Sequence, residues 1–583
     1  MMGAEELLAA LFLLPHNLGV SGVPSRSFQR KGADQAPEQH VIIYNPLAWN
    51  ITTIVNITVT FQSAAIYDDD GQPVPAQIQR SAQSNATYDL FFVVQLGGLQ
   101  HRKYSVQFSE APCSEKSKCE HTYEAQGVVF ERRRVKDWGK TGRWLLPVLN
   151  DCYKLMFDQD TNLLHSATYL KEQRRIRMRQ DFWEYDANGD VKAGPISDNY
   201  IFSANGSAVR AYKAVEMEII PGKVLTEIRQ RFYREDGDKD YAYSITTRVP
   251  EYSETGLPCH RLEQTYSLGP LRLNTEVVLR TSSSLKNNKT LYSDDNGYQM
   301  MKRTYKKFTN NTLARNYFPM VRTAYIEDDL SRLVLLSDRA HGVSSQAGGQ
   351  LEVMLHRRLW NNLQWNLGYN LTLNDSSVVT PTLWMMLGSV SATSKLYQTG
   401  AVELQHRPVV MLIDQPTFIS FCLGNTWKDK ELRFNSPVAP VVLPPNLHLL
   451  SLSIPGWNYS SNHDLHLSHL HSGKEVQSEP DYDRVLLRVM HLFEEEEDSK
   501  LSKPVTVNLK DVLKGLGEVR DVEERSLTGT WNITSLQRWN WKTADTSGKK
   551  NKQYLKSEDK DFTVTISPKE IRTFFVHFSS RNC

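Results

Sequence analysis

Few of the common reaction signatures are present in this chain. It has no Gly-rich phosphate loop, no G-x-S-x-G elbow, no H-E-x-x-H pair and no C-x-x-C pair. The motifs of nucleotide binding, serine hydrolysis, zinc proteolysis and dithiol redox chemistry are therefore missing. Net charge is nearly absent too: 68 Lys and Arg against 66 Asp and Glu leave +2. A nucleic-acid binder normally carries a basic excess, so no nucleic-acid partner is expected. Long apolar runs are lacking. The longest, residues 7–14, is closed by Pro15, short of the roughly 20 residues that span a bilayer. Glu5 and Glu6 precede it where a secretory n-region is basic. Residues 1–40 thus read as an irregular extension with a weakly signal-like segment.

What remains is a chain of 583 residues, 40% hydrophobic and 10% aromatic, long enough for several domains with sizeable cores. Most of it reads as strand. Apolar residues alternate at 215–219 and 562–566, and short runs such as Leu333-Val334-Leu335-Leu336 suit strands buried on both faces. Hairpin signals recur between them, as Asp-Gly at Asp70 and Asp236 and Asn-Gly at Asn188, Asn205 and Asn296. Helical periodicity with caps is scarce. The fold class is all-β, as stacked β-sandwiches. Composition divides the chain into a small β-sandwich (41–110), a polar linker (111–127), a large central two-sheet block (128–434) and a C-terminal β-sandwich (435–583). The last boundary is marked by Pro437, Pro440, Pro444 and Pro445.

Two features favour the secretory route. The N-x-Ser/Thr acceptor occurs at Asn50, Asn56, Asn85, Asn205, Asn288, Asn310, Asn370, Asn374, Asn458 and Asn532. Asn56 falls at an even position among odd apolar ones, on the solvated face of its strand. Six cysteines fit no zinc spacing. In an oxidising compartment Cys113 and Cys119 can close a small loop and Cys152 can pair with Cys259; the alternative is buried thiols at Cys152, Cys259 and Cys422.

Chemistry-bearing clusters mostly read as solvated. His463, His466, His469 and His471 with Asp464 offer imidazoles, but in a polar stretch before a loop. The acidic run 494–498 is a solid block without calcium-loop spacing. Arg174, Arg175, Arg177 and Arg179 alternate with Ile176 and Met178, which reads as an edge or half-exposed strand with charged gatekeepers. Arg357 and Arg358 end an apolar strand and suit a hydroxyl or carboxylate ligand, or a surface ion pair.

Seven stretches in order carry a stronger signal. They are residues 41–49 with Tyr44-Asn45-Pro46-Leu47, then 194–202 with Asp198-Asn199-Tyr200-Ile201-Phe202, then Tyr292-Ser293-Asp294-Asp295-Asn296-Gly297-Tyr298-Gln299. Ala314-Arg315-Asn316-Tyr317-Phe318-Pro319-Met320, residues 351–359, residues 443–449 and residues 568–574 complete the set. This set resembles the C-terminal half of glycoside hydrolase family 38, the lysosomal-type α-mannosidases, from about residue 40 onward. The resemblance implies a central supersandwich of the galactose-mutarotase type and a lysosomal or secreted location. It also implies a retaining mechanism in which zinc and an Asp nucleophile act on mannose. The family's His-x-Asp zinc motif, nucleophile segment and His-His-Asp-Ala stretch have no counterpart here, and His463-Asp464 is in the wrong domain to replace them. The implied polypeptide is catalytically incomplete on its own, with no cofactor in this chain and no catalytic residue. By the same resemblance Tyr200 and one of Arg357 and Arg358 line the rim of the mannose pocket, and Asp295 and Asn296 shape it. Mannose-containing oligosaccharides are the implied ligands, with the family's catalytic domain or a second copy as partner. The alternatives are a non-catalytic carbohydrate-binding module, served by 12 Trp and 25 Tyr, and a mutarotase-like epimerase.

Overall fold

A computed structural model of the protein describes residues 27–28, 38–82, 84, 86–109, 122–135, 141–188, 192, 196–198, 200–251, 259–359, 374–413, 439–454, 471–473, 484–536 and 561–579. Cys113, Cys119, Cys422, Cys583, Asn85, Asn370, Asn458, His463, Asp464, His466 and His469 lie outside them.

Alternating apolar residues make half-buried strands, and these pair into three sandwiches. In the first, a five-stranded sheet from Ser27–Phe28 to Thr122–Glu124 faces a four-stranded sheet ordered Val409–Ile413, Glu38–Tyr44, His101–Ser109, Ser63–Tyr67. Val41, Ile43, Ile57, Phe92 and Tyr104 fill the space between. Asn56 is exposed between buried Val55 and Ile57, as alternation requires. Three contributions cross the expected boundaries. Ser27–Phe28 comes from the extension, Thr122–Glu124 from the linker and Val409–Ile413 from the central block. Strand pairing reaches across sequence in a way that composition does not record.

The central block is two large sheets. The nine-stranded sheet has Arg174–Asp186 in its interior, between Leu163–Tyr169 and Thr275–Ser283; the ten-stranded sheet runs from Gln299–Thr304 to Val128–Arg134. The arginine-rich strand pairs over 174–177 with one neighbour and over 178–186 with the other, and its exposed arginines alternate with buried apolar residues, as a half-exposed strand requires. Its even positions Ile176, Met178 and Phe182 enter the core, and the ring of Phe182 meets Phe232 and Tyr243 at 5.0 Å each. Arg175, Arg177, Arg179 and Asp181 stand at odd positions, on the opposite face. Arg332–Ser337 is buried along its length, because helix Tyr397–Gln405 covers the outer side of its sheet with Tyr397, Ala401 and Leu404. The helix approaches closely at Gly400, where a Cβ would lie 2.7 Å from Met386 Cε. A disulfide joins Cys152 to Cys259, Cα atoms 5.4 Å apart and 107 positions apart in sequence.

In the C-terminal sandwich a four-stranded sheet, Leu447–Ser453, Arg484–His491, Ile571–Phe578, Val519–Arg525, is joined by the pair Val505–Asn508 and Thr563–Ile566. It docks on the central block through the Tyr292–Gln299 stretch. Asn296 and Gly297 both have φ > 0 (54° and 69°), the tight hairpin geometry that Asn-Gly favours. This aims the Tyr298 hydroxyl at the carbonyl of Lys569. Met300 N donates to Glu494 Oε1 at 2.6 Å and Gln398 to Glu497 at 3.2 Å. The acidic run is thus a docking element rather than a solvated strand end, because its carboxylates meet donors of the central block.

Where the three sandwiches meet, Trp49 Nε1 donates to Leu447 O at 2.9 Å. The ring of His448 lies 5.8 Å from Trp49 and 5.6 Å from His406. Burial pushes His448 down to about 3, and the His406 and Arg322 charges act the same way. The unfolded chain binds a proton near pH 6.5 and the folded chain does not. Stability from this junction is therefore full above pH 6.5 and falls with pH, by about 1.4 kcal/mol per unit until the folded value is reached. Urea unfolding at pH 7 and pH 5 should show a loss, and His448→Gln should lessen it, the remainder coming from other buried histidines such as His260, which burial pushes down to about 4. Cys152→Ser should lower unfolding stability by about 2–5 kcal/mol, as should reductant on the native chain, read by thermal unfolding.

Candidate functional site

The outward face of Arg174–Asp186 carries Asp181, Trp183 and Tyr185. A carboxylate at a fully buried position keeps its charge only if donors surround it. Asp181 is 0% exposed and accepts from Trp183 Nε1 (2.8 Å) and the Tyr212 hydroxyl (2.9 Å), with Arg179 at 3.4 Å. Glu352, also 0% exposed, accepts from the hydroxyls of Tyr185 (2.9 Å) and Tyr317 (2.7 Å) and from Arg280 Nε (2.7 Å). Burial and then the Glu352 charge hold the Tyr317 phenol well above its ordinary value, so it stays a donor.

The two tyrosines that Glu352 fixes form a clamp. Phe202 sits edge-on between them, 5.4 Å from Tyr185 and 5.5 Å from Tyr317. The described residues of the loop ahead of Phe202 are tied by side-chain to backbone bonds. Asp198 Oδ1 accepts from the backbone N–H of Tyr200 and Ile201 at 2.8 Å each, and Ser197 Oγ donates to Ser203 O at 2.6 Å. Arg357 Nη2 donates to Ile201 O (3.3 Å) and to Glu276 Oε1 (2.5 Å). Burial pushes the Glu276 carboxyl up, and Arg357 opposes that shift. Tyr200 itself is 70% exposed on this fixed loop.

The structure therefore joins Tyr200 and Arg357 through Ile201 and sends Arg358 elsewhere. Arg358 donates from Nε to Asn374 Oδ1 and from Nη1 to Leu271 O, both 2.7 Å. A β-bulge decides between the two arginines. Val278 faces Met354 while Val277 faces His356, so Leu355 is an extra residue in its strand. Without it Arg358 shares the face of Glu352; with it Arg357 pairs with Glu276. Residues 295–296 belong to the turn docked on the C-terminal sandwich.

Sequence reading missed Glu276, Arg280, Tyr317 and Glu352 as supports. The signal was a charge inside an apolar strand, Glu352 between Leu351 and Val353 and Arg280 after Leu279. Among the acceptor sites, Asn50, Asn56, Asn205, Asn288, Asn310 and Asn374 are exposed, and Asn532 is half-buried with Oδ1 accepting from Thr534 N. Among the described residues one compact group of metal-ligating types occurs, Asp68, Asp69 and Asp70. It is all carboxylate, and Arg102 pairs with it, 2.5 Å from Asp69. It does not fit zinc, which prefers His and Cys donors.

Comparison with known proteins places this geometry. Residues 148–362 match the Glycosyl hydrolases family 38 C-terminal domain, and residues 470–574 match the Glycosyl hydrolases family 38 C-terminal beta sandwich domain. The chain carries the C-terminal domains of glycosyl hydrolase family 38. Over its whole length it is 48% identical to the human epididymis-specific alpha-mannosidase, covering 56% of that protein. Over 94% of the chain it is 46% identical to the pig counterpart, covering 54% of it. Over 92% it is 25% identical to the human lysosomal alpha-mannosidase, covering 48%. The chain thus spans about half the length of the curated relatives it matches. The crystal structure of a family 38 protein from Enterococcus faecalis superposes with TM-score 0.51 at 11% identity, covering 93% of this chain and 58% of the other. That likeness concerns the fold. Tyr200, Arg357 and Glu352 all lie in or beside the first matched domain of the family 38 chain.

The two arginines separate by experiment. Arg357→Ala leaves the buried Glu276 carboxylate without its cation and should cost about 1–3 kcal/mol, with faster amide exchange at Ile201 and Phe202. Arg358→Ala should leave exchange in that loop unchanged.

Proposed function

We propose that this chain is the β-rich half of an α-mannosidase of mannose and N-glycan oligosaccharide catabolism, and that it supplies the rim of a mannose pocket. The observation that carries the reading is Tyr200, exposed on a loop whose backbone N–H at Tyr200 and Ile201 is held by Asp198, with Arg357 bonded to the next carbonyl. A preorganised phenol and guanidinium hold sugar hydroxyls without ordering cost at the moment of binding. In this reading the chain has no zinc site of its own and acts jointly with a segment bearing the family's metal and Asp nucleophile. Exposed Tyr200, Val209 and Leu273, grouped at one end of the nine-stranded sheet, are the apolar surface such a segment would cover. The Cys152–Cys259 bond and the exposed acceptor asparagines support a lysosomal or secreted location. No helix among the described residues is long and apolar enough to cross a membrane.

Metal analysis and turnover of a chromogenic α-mannoside by the purified chain test this. The expected result is no stoichiometric zinc and no turnover, together with binding of mannose oligosaccharides that Tyr200→Ala weakens about tenfold or more. Stoichiometric metal with turnover contradicts the division of labour. Mannose binding indifferent to Tyr200→Ala and Arg357→Ala contradicts the rim.

A further inference from the structure

Alternation along Arg174–Asp186 also places Arg175, Arg177 and Arg179 on the face away from the core. In register, Arg179 stands opposite Ser282 and Arg177 opposite Ser166, near enough for both sides to reach one ligand. Arg177, Arg179, His165, Ser282 and Ser284 line a cleft of about 410 Å³. It lies at the far end of the strand from the Tyr200 loop, since eight residues from Arg177 to Tyr185 span about 26 Å.

The charges in this cleft are unequally answered. Arg179 has Asp181 at 3.4 Å, and Arg175 Nε donates to Ser166 Oγ at 3.2 Å. Asp158, the acid of the cleft, is 2% exposed, and its oxygens accept from the backbone N–H of Gly142 (2.9 Å) and Asp160 (3.0 Å). Arg177 is exposed, and its guanidinium makes no hydrogen bond or ion pair among the described residues; the same holds for the hydroxyls of Ser282 and Ser284. Arg177, Ser282 and Ser284 are thus donors of the cleft without an acceptor among the described residues.

We propose that this cleft binds a tetrahedral oxyanion borne on a sugar, a phosphate or sulfate ester, with the Arg177 guanidinium as the fork, Ser282 adding a hydroxyl and Arg179 adding only its nearby charge. A planar guanidinium matches such an oxyanion through two parallel N–H bonds. The volume falls in the range of small-ligand sites and leaves room for the hexose that carries the ester.

Calorimetry on the whole chain in physiological salt tests it, with inorganic phosphate, inorganic sulfate and mannose 6-phosphate as probes. Saturable binding is expected, with the ester tighter than either free anion. Arg177→Ala should weaken it about tenfold or more, and Arg177→Lys should restore only part, because the charge returns without the fork. Arg520→Ala, an exposed arginine of the C-terminal sandwich, serves as the charge control and should bind as wild type. Absence of saturable binding, or equal losses in Arg177→Ala and Arg520→Ala, overturns the site. Equal affinity for the ester and the free anions overturns its assignment to a sugar.

Discussion

A carboxylate removed from water must be met by donors that cannot move away, and this requirement governs how the layers of the protein meet. Isolating an ion in the interior costs several kcal/mol, so a buried acid is tolerable only inside a rigid cage. Glu227 shows it between the first sandwich and the central block. Its oxygens accept from Arg229 (2.6 Å), Arg248 (2.8 Å) and Gln79 of the first sandwich (3.0 Å). Burial works against its charge, but the two arginines prevail and hold the carboxyl below its usual range. Glu524 repeats the arrangement in the C-terminal sandwich, with Arg572 at 2.9 and 2.5 Å. Each cage fixes the strands that bring its donors, so polar satisfaction and strand register reinforce one another.

The Tyr200 loop inherits its rigidity from the same device. Glu352 orients two phenols, the phenols grip Phe202, and the grip determines where Tyr200 stands two residues earlier. An exposed side chain is thereby placed by a buried one that it never touches. That arrangement suits recognition of a hydroxylated ligand, since affinity is not spent on ordering the receptor.

Much of the architecture was legible in the sequence. Alternation exposed the strands, continuous apolar runs marked those buried twice, and Asn296-Gly297 announced a tight hairpin. Legibility failed where contacts span long separations. Nothing near Trp49 indicates that its indole will donate to Leu447, and nothing near Val409–Ile413 indicates that it will close the first sandwich beside Glu38–Tyr44. It failed again where outward charge meant partnership rather than solvent. Arg179 and Arg280 look like surface residues along their strands, yet each is paid with a buried acid from another position. At the candidate site, family resemblance pointed to Tyr200 and an arginine pair, but simple alternation puts Arg358 on the face of Glu352, where the structure has Arg357.

The extra residue at Leu355 is the cause. It works as a frame shift for side chains, exchanging inside for outside for everything downstream in the strand while leaving the amino-acid order intact. Were Leu355 instead paired regularly with Val277, His356 would come opposite Glu276 and Arg357 would turn to the other face, without a change to either arginine. One unpaired backbone position thus selects which cation answers a buried acid, a choice that amino-acid order alone does not display.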